Sequence, residues 1–155
     1  MAGEPLQSAS GVILIERVFA APRALVFASW THADDAAEWF APDGFTAIHC
    51  EMDATPGGEW RIDFRSLDGQ LHTEYGVFLE VIAAERLVFT LTQKSGDKSG
   101  PQTTVTVTFS DIDGGTRMRF RQSGHIGVEA LNANSDGWRG CFEQLAQLLK
   151  ILQSA

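Results

Sequence analysis

Over about eighty residues, from Phe45 to Gln122, apolar and polar side chains of this chain alternate one by one, and on either side of that stretch the period becomes helical. Before it, "VILIERVFA" from Val12 to Ala20 is rich in Val, Ile and Phe and has the length of a strand buried on much of both faces. Pro22 then stands where a first helical turn tolerates it, and Leu25, Val26 and Trp30 recur at helical spacing. A second short helix starts at Thr31 or Ala33, carries Asp34 and Asp35 in its first turn, and ends with Trp39 and Phe40 before "APDG".

Six strands account for the alternating stretch. Ile48, Cys50 and Met52 share one face of the first, and Trp60, Ile62 and Phe64 one face of the second. Between them lies "TPGG", and its glycines could cradle a phosphate or turn the chain. Strict strand alternation follows Gly58 where a phosphate loop needs a helix N-terminus, so a hairpin is expected. In "LHTEYGVFLEVI" the apolar set is read as Leu71, Thr73, Tyr75, Val77 and Leu79, with His72, Glu74, Gly76, Phe78 and Glu80 outward. Leu87, Phe89 and Leu91 follow on the next strand. Val105, Val107 and Phe109, then Met118 and Phe120, face inward on the last two, opposite outward Thr104, Thr106, Thr108, Arg117, Arg119 and Arg121.

A helical period returns at Val128 and continues through Leu131, Ser135, Trp138, Phe142, Leu145, Leu149 and Leu152. One long amphipathic helix results. Asn132, Asn134, Asp136 and Gly137 weaken its first half, and a kink or fraying is expected near Gly137 and Gly140. A twisted antiparallel sheet with one apolar face must cover it, and this helix is the only large cover available, so the sheet should curl around it.

That order, with "FAAPRALVFASWTHADDAAEWFAP", "MDATPGGEWRIDF", "DGQLHTEYGVFLEVIAAERLVFT", "DGGTRMRF" and "DGWRGCFEQLAQLL", resembles the SRPBCC or START-like superfamily. Within it the chain is most similar to the family named for the activator of the heat-shock chaperone ATPase. The resemblance implies an α+β helix-grip fold: a curved antiparallel sheet of about seven strands wrapped around a long C-terminal helix, with two short helices after the first strand. Residues 1–11 are expected to be a flexible N-terminus and 12–153 a single domain. The superfamily's apolar pocket implies binding of a lipid or other hydrophobic or amphipathic small molecule. Chaperone-activating members use the domain to bind protein, so a chaperone is the rival partner. A minority of the superfamily catalyses polyketide cyclisation or dehydration, which makes an enzyme the third reading.

Composition narrows the field. The 155 residues hold 12 Lys+Arg against 20 Asp+Glu, and a net charge of -8 disfavours a nucleic-acid partner. No apolar run approaches a membrane span, and "MAGEPLQSAS" has no secretory character. Cys50 and Cys141 stand far apart without close-spaced partners, which implies a reducing cytoplasm and no zinc knuckle. The four histidines are scattered, so neither metal nor cofactor is expected. Monomer and homodimer are both left open.

Candidate ligand-binding positions come from the inward parity. The aromatics Trp39, Phe40, Trp60, Phe89, Trp138 and Phe142 converge on the interior, with Ile62, Met118 and Phe120 beside them. Inward polar groups are Cys50, Thr73, Tyr75, Gln93 and Gln122, which must either satisfy one another or face a ligand. Trp39 and Trp138 are placed at the pocket mouth. This parity leaves no inward Asp, Glu, His or Lys on the six later strands, which argues for binding without chemistry.

Overall fold

The computed structural model describes residues 11–125 and 127–154, so the expected flexible N-terminus lies, apart from Gly11, outside the described residues. Strand β1 (Val12–Phe19) leads into helices α1 (Arg23–Thr31) and α2 (Ala33–Trp39). Strands β2 (Thr46–Met52), β3 (Glu59–Arg65), β4 (Leu71–Ile82), β5 (Arg86–Ser95), β6 (Lys98–Ser99), β7 (Thr103–Ile112) and β8 (Gly115–Ser123) follow, and helix α3 (Val128–Ser154) closes the chain. All pairings are antiparallel, in the order β1-β8-β7-β5-β4-β3-β2, with the two-residue β6 paired to β5 beside that path. The helix-grip architecture is therefore present, with one more short strand than the pattern announced.

Local chemistry explains the joints. The β2–β3 hairpin closes through "TPGG", where Gly57 takes a φ of +88° and Gly58 brings its backbone so close to Asp53 that a Cβ there would lie 2.0 Å from the Asp53 carbonyl oxygen. Only glycine fits that position. Helices α1 and α2 are locked to each other by the Trp39 indole, which donates to the Ser29 carbonyl at 2.9 Å. Helix α3 runs uninterrupted past Gly137 and Gly140, so it does not fray there.

The core lies between the concave sheet face and the helices. Val105, Val107, Phe109, Met118 and Phe120 are buried as their parity requires, and Phe142, Leu145 and Leu149 meet them from α3. Trp30 sits at the centre, its ring 4.7 Å from Trp39, 6.0 Å from Phe142 and 6.1 Å from both Phe89 and Trp138. The outward Arg117 and Arg119 pair with Glu16 on the neighbouring edge strand, as a solvated ladder would.

Two strands depart from the expected parity. In β2 a bulge between Ala47 and His49 removes one residue from the pairing, so Ala47 opposes inward Phe64 while Ile48 is 49% exposed. Strand β4 is inverted: Phe78 is 2% exposed and Tyr75 40%. The cause is register. Arg65 pairs with Leu71 across the Ser66–Gln70 turn, so Ile62 opposes Glu74 and Trp60 opposes Gly76. Residues opposed in this way share a face, and β3 commits Trp60, Ile62 and Phe64 to the core. His72, Glu74, Gly76 and Phe78 follow them inward, and Thr73, Tyr75 and Leu79 turn outward.

Candidate functional site

The deep interior of the grip is filled. Between Trp30, Phe40, Met52, Trp60, Phe78 and Phe89 only about 10 Å³ remains open, the bare minimum for one water. Further along, where the first half of α3 lies over β4 and β5, the sheet and helix separate around a cavity of about 450 Å³. Phe40, Pro42 and Phe45 from the α2–β2 segment form one wall, Glu74 and Gln93 come from the sheet, and Ala133, Asn134, Gly137, Trp138 and Cys141 come from α3. The volume falls in the usual range for small-molecule sites.

Each wall is held by named bonds. The Trp138 indole donates to Gln122 Oε1 at 2.8 Å, Gln122 Nε2 donates to Thr103 Oγ1 at 2.9 Å, and that hydroxyl donates to the Leu91 carbonyl at 2.7 Å. This buried chain fixes the indole plane by tying α3 to three strands. Phe40 crosses Trp138 at 88° with ring centroids 5.3 Å apart. Cys141 Sγ and Gln144 Nε2 donate to the Phe40 and Ala41 carbonyls, which anchors the α2–β2 segment to α3.

Glu74 is the chemical centre of the cavity. It is 9% exposed, and Gln93 Nε2 donates to its Oε2 at 3.1 Å across the β4–β5 pairing. Burial, only partly offset by that hydrogen bond, pushes its carboxyl up to about 7. The Cys141 thiol is pushed up to about 12 by burial and by the nearby Glu74, and stays protonated. The expectation of an inward face without an acid is thereby overturned, and with it the reason for excluding acid-base chemistry. Glu74 exchanges its proton near neutrality.

The sequence-expected positions divide into four groups. Phe40 and Trp138 line the cavity. Trp39, Ile62, Phe89, Met118, Phe120 and Phe142 are packed in the core, and Trp60 is buried with its indole donating to the Thr90 carbonyl at 3.0 Å. Cys50 is half-buried on the inner face of β2, its thiol pushed up to about 11 by burial and then by Asp34 and Glu51. Thr73 and Tyr75 lie on the other side of the sheet. Thr73 donates to Asp63 Oδ1 at 2.6 Å; burial pushes the Asp63 carboxyl up, but Thr73 and Arg61 outweigh it and hold it below its ordinary value. Tyr75 borders an open outer groove with Trp60, Arg61 and Thr92. Pro42, Phe45, Glu74, Ala133, Asn134 and Cys141 are cavity residues that sequence reasoning did not single out. The length of the β3–β4 turn was the available signal for Glu74, because it fixes the face of every β4 residue once β3 is committed.

Gly137 shapes the space. A Cβ at this position would meet nothing within 4 Å, so the glycine opens the cavity without being required by the backbone. Gly137→Ala should therefore stabilise the domain by about 1 kcal/mol through helix propensity alone. Thermal melts should show a Tm gain of roughly 2–4 °C; a loss would mean that the site has no room.

A curved antiparallel sheet gripping a long C-terminal helix, with a cavity between them, defines a helix-grip protein of the START-like class. The family model described as Activator of Hsp90 ATPase homolog 1-like protein matches residues 20–150, and the chain belongs to that family. Among solved structures, protein CV1439 from Chromobacterium violaceum is 28% identical, with a TM-score of 0.78 over 90% of this chain and 96% of that one. A protein from Rhizobium leguminosarum is 27% identical, with a TM-score of 0.81 over 90% and 93% of the two chains. An AHSA1 protein from Silicibacter pomeroyi, at 21% identity and a TM-score of 0.82 over 90% and 98%, shares the fold. Comparison with curated proteins finds no match. No helix among the described residues is long and apolar enough to cross a membrane.

Proposed function

We infer that this protein binds a hydrophobic or amphipathic small molecule in the cavity between β4, β5 and the first half of α3. The observation that carries this reading is the cavity itself: about 450 Å³, walled by Phe40, Phe45 and Trp138, with a few polar groups from Glu74, Gln93 and Asn134. Apolar walls supply affinity through the area they remove from water, and isolated polar groups orient the ligand. Free Cys50 and Cys141 support a reducing, cytoplasmic setting.

An environment-sensitive apolar dye tests the reading. The dye should brighten with the wild-type protein and stay dark with Gly137→Phe, whose ring would occupy the cavity. Gly140→Phe, at an exposed position outside the lining, and Tyr75→Phe, on the far side of the sheet, should leave the signal intact. A dye that responds to Tyr75→Phe and ignores Gly137→Phe would move the site to the outer groove. No response at all would move the protein-binding reading, with a chaperone as partner, into first place.

A further inference from the structure

We propose that the cavity is built for an amphipathic primary amine, whose ammonium donates to the Glu74 carboxylate while its apolar body lies against Phe40, Phe45 and Trp138. The proposal rests on the small-molecule reading above and adds the chemistry of the ligand's head. Glu74 reaches the cavity from the sheet, and a single hydrogen bond from Gln93 is its only one among the described residues. A buried carboxylate with one neutral partner lacks a counter-charge. The lining contains no Lys, Arg or His to provide it. A ligand that brings its own positive charge satisfies the group, and a carboxylate ligand would be repelled.

The surroundings favour the same class. Aromatic faces carry negative potential and attract cations, and Phe40 and Trp138 form a right-angled corner in the same lining as Glu74. Gln93 spends its NH2 end on Glu74, which leaves its amide oxygen as a second acceptor for an ammonium. A net charge of -8 draws cations towards the molecule.

Binding of this kind depends on pH through Glu74, so its neighbours matter. From α3 it faces the Cys141 thiol, which stays neutral, and from β5 the uncharged Gln93. Its β3 partner is Ile62, while Asp63 and Lys94 pair with Thr73 and belong to the other face. No charged side chain of the α2–β2 segment lines the cavity. His125, beside Asn134, has its pKa lowered by burial, an effect that Asn134 only partly opposes, and it does not line the cavity. Glu74 alone sets the profile: with its carboxyl near 7, the ionised fraction falls about tenfold from pH 8 to pH 6.

The test compares hexylamine, hexanol and hexanoate by the shift of the Trp138 indole N–H resonance in the full chain, backed by calorimetry. At pH 8 hexylamine should bind at least about tenfold tighter than hexanol, hexanoate should not saturate, and hexylamine should weaken about tenfold at pH 6. Glu74→Gln, with its spectrum checked for native dispersion, should bind hexylamine no better than hexanol at either pH. Equal binding of the amine and the alcohol by the wild type overturns the head-group assignment and leaves the cavity reading standing. Preference for hexanoate overturns it as well. If none of the three shifts Trp138, the assignment and the small-molecule reading fall together.

Discussion

Gly76→Ala is expected to cost about 3 kcal/mol or more and to leave little folded protein at moderate urea. At this position β4 and β5 approach so closely that a Cβ would sit 1.8 Å from the Thr90 carbonyl oxygen and 2.6 Å from its carbon. Backbone cannot step aside as the end of a side chain can. Two hydrogen bonds depend on Thr90 staying in place: its carbonyl accepts the Trp60 indole N–H at 3.0 Å, and its hydroxyl accepts the Val77 N–H at 2.9 Å. A methyl group that displaces Thr90 breaks both and loosens the strand that carries Glu74. Equilibrium urea unfolding measures the loss, and a value below about 1 kcal/mol would show that the two strands part without strain.

A second large effect is expected from pH. Glu74 titrates near 7 in the folded protein against an ordinary value of 4.5, so between those values the folded state holds a proton that the unfolded chain has released. Stability from this group is complete below pH 4.5, declines as pH rises through 7, and is gone above it. The difference of about 2.5 units corresponds to roughly 3 kcal/mol. Glu74→Gln removes the dependence while keeping an acceptor for Gln93. The variant should therefore match the wild type near pH 4.5 and exceed its stability by about 3 kcal/mol at pH 8, as urea unfolding at the two pH values will read. A constant difference across that range would mean that the carboxyl is solvated and not buried in the cavity.

Both predictions lie on β4, the strand whose orientation the residues alone did not reveal. Its two faces, Leu71-Thr73-Tyr75-Val77-Leu79 and His72-Glu74-Gly76-Phe78-Glu80, each carry apolar and polar groups, so alternation has two solutions of similar merit. Counting apolar residues favoured the wrong one. The pairing of β3 with β4 decided it, because three large side chains already committed inward on β3 outweigh the burial of one tyrosine and two leucines. Strands β7 and β8 were unambiguous, since Thr and Arg fill every alternate position opposite Val, Phe and Met.

By itself the sequence determined the order of the main elements, the hairpin at "TPGG", the curl of an antiparallel sheet around one long helix, and the convergence of Trp39, Phe40, Trp60, Phe89, Trp138 and Phe142 on a common interior. These follow from periodicity and turn chemistry, which are local and survive without knowledge of neighbours. Tertiary structure alone decided where the core is full and where it opens. Packing closes the centre around Trp30 to about 10 Å³ and leaves about 450 Å³ beside Gly137, a difference set by how side chains from distant segments interlock. It also decided that Glu74 faces inward with a raised carboxyl, because register, burial and the absence of a cationic neighbour in the lining are properties of strands and helices brought together.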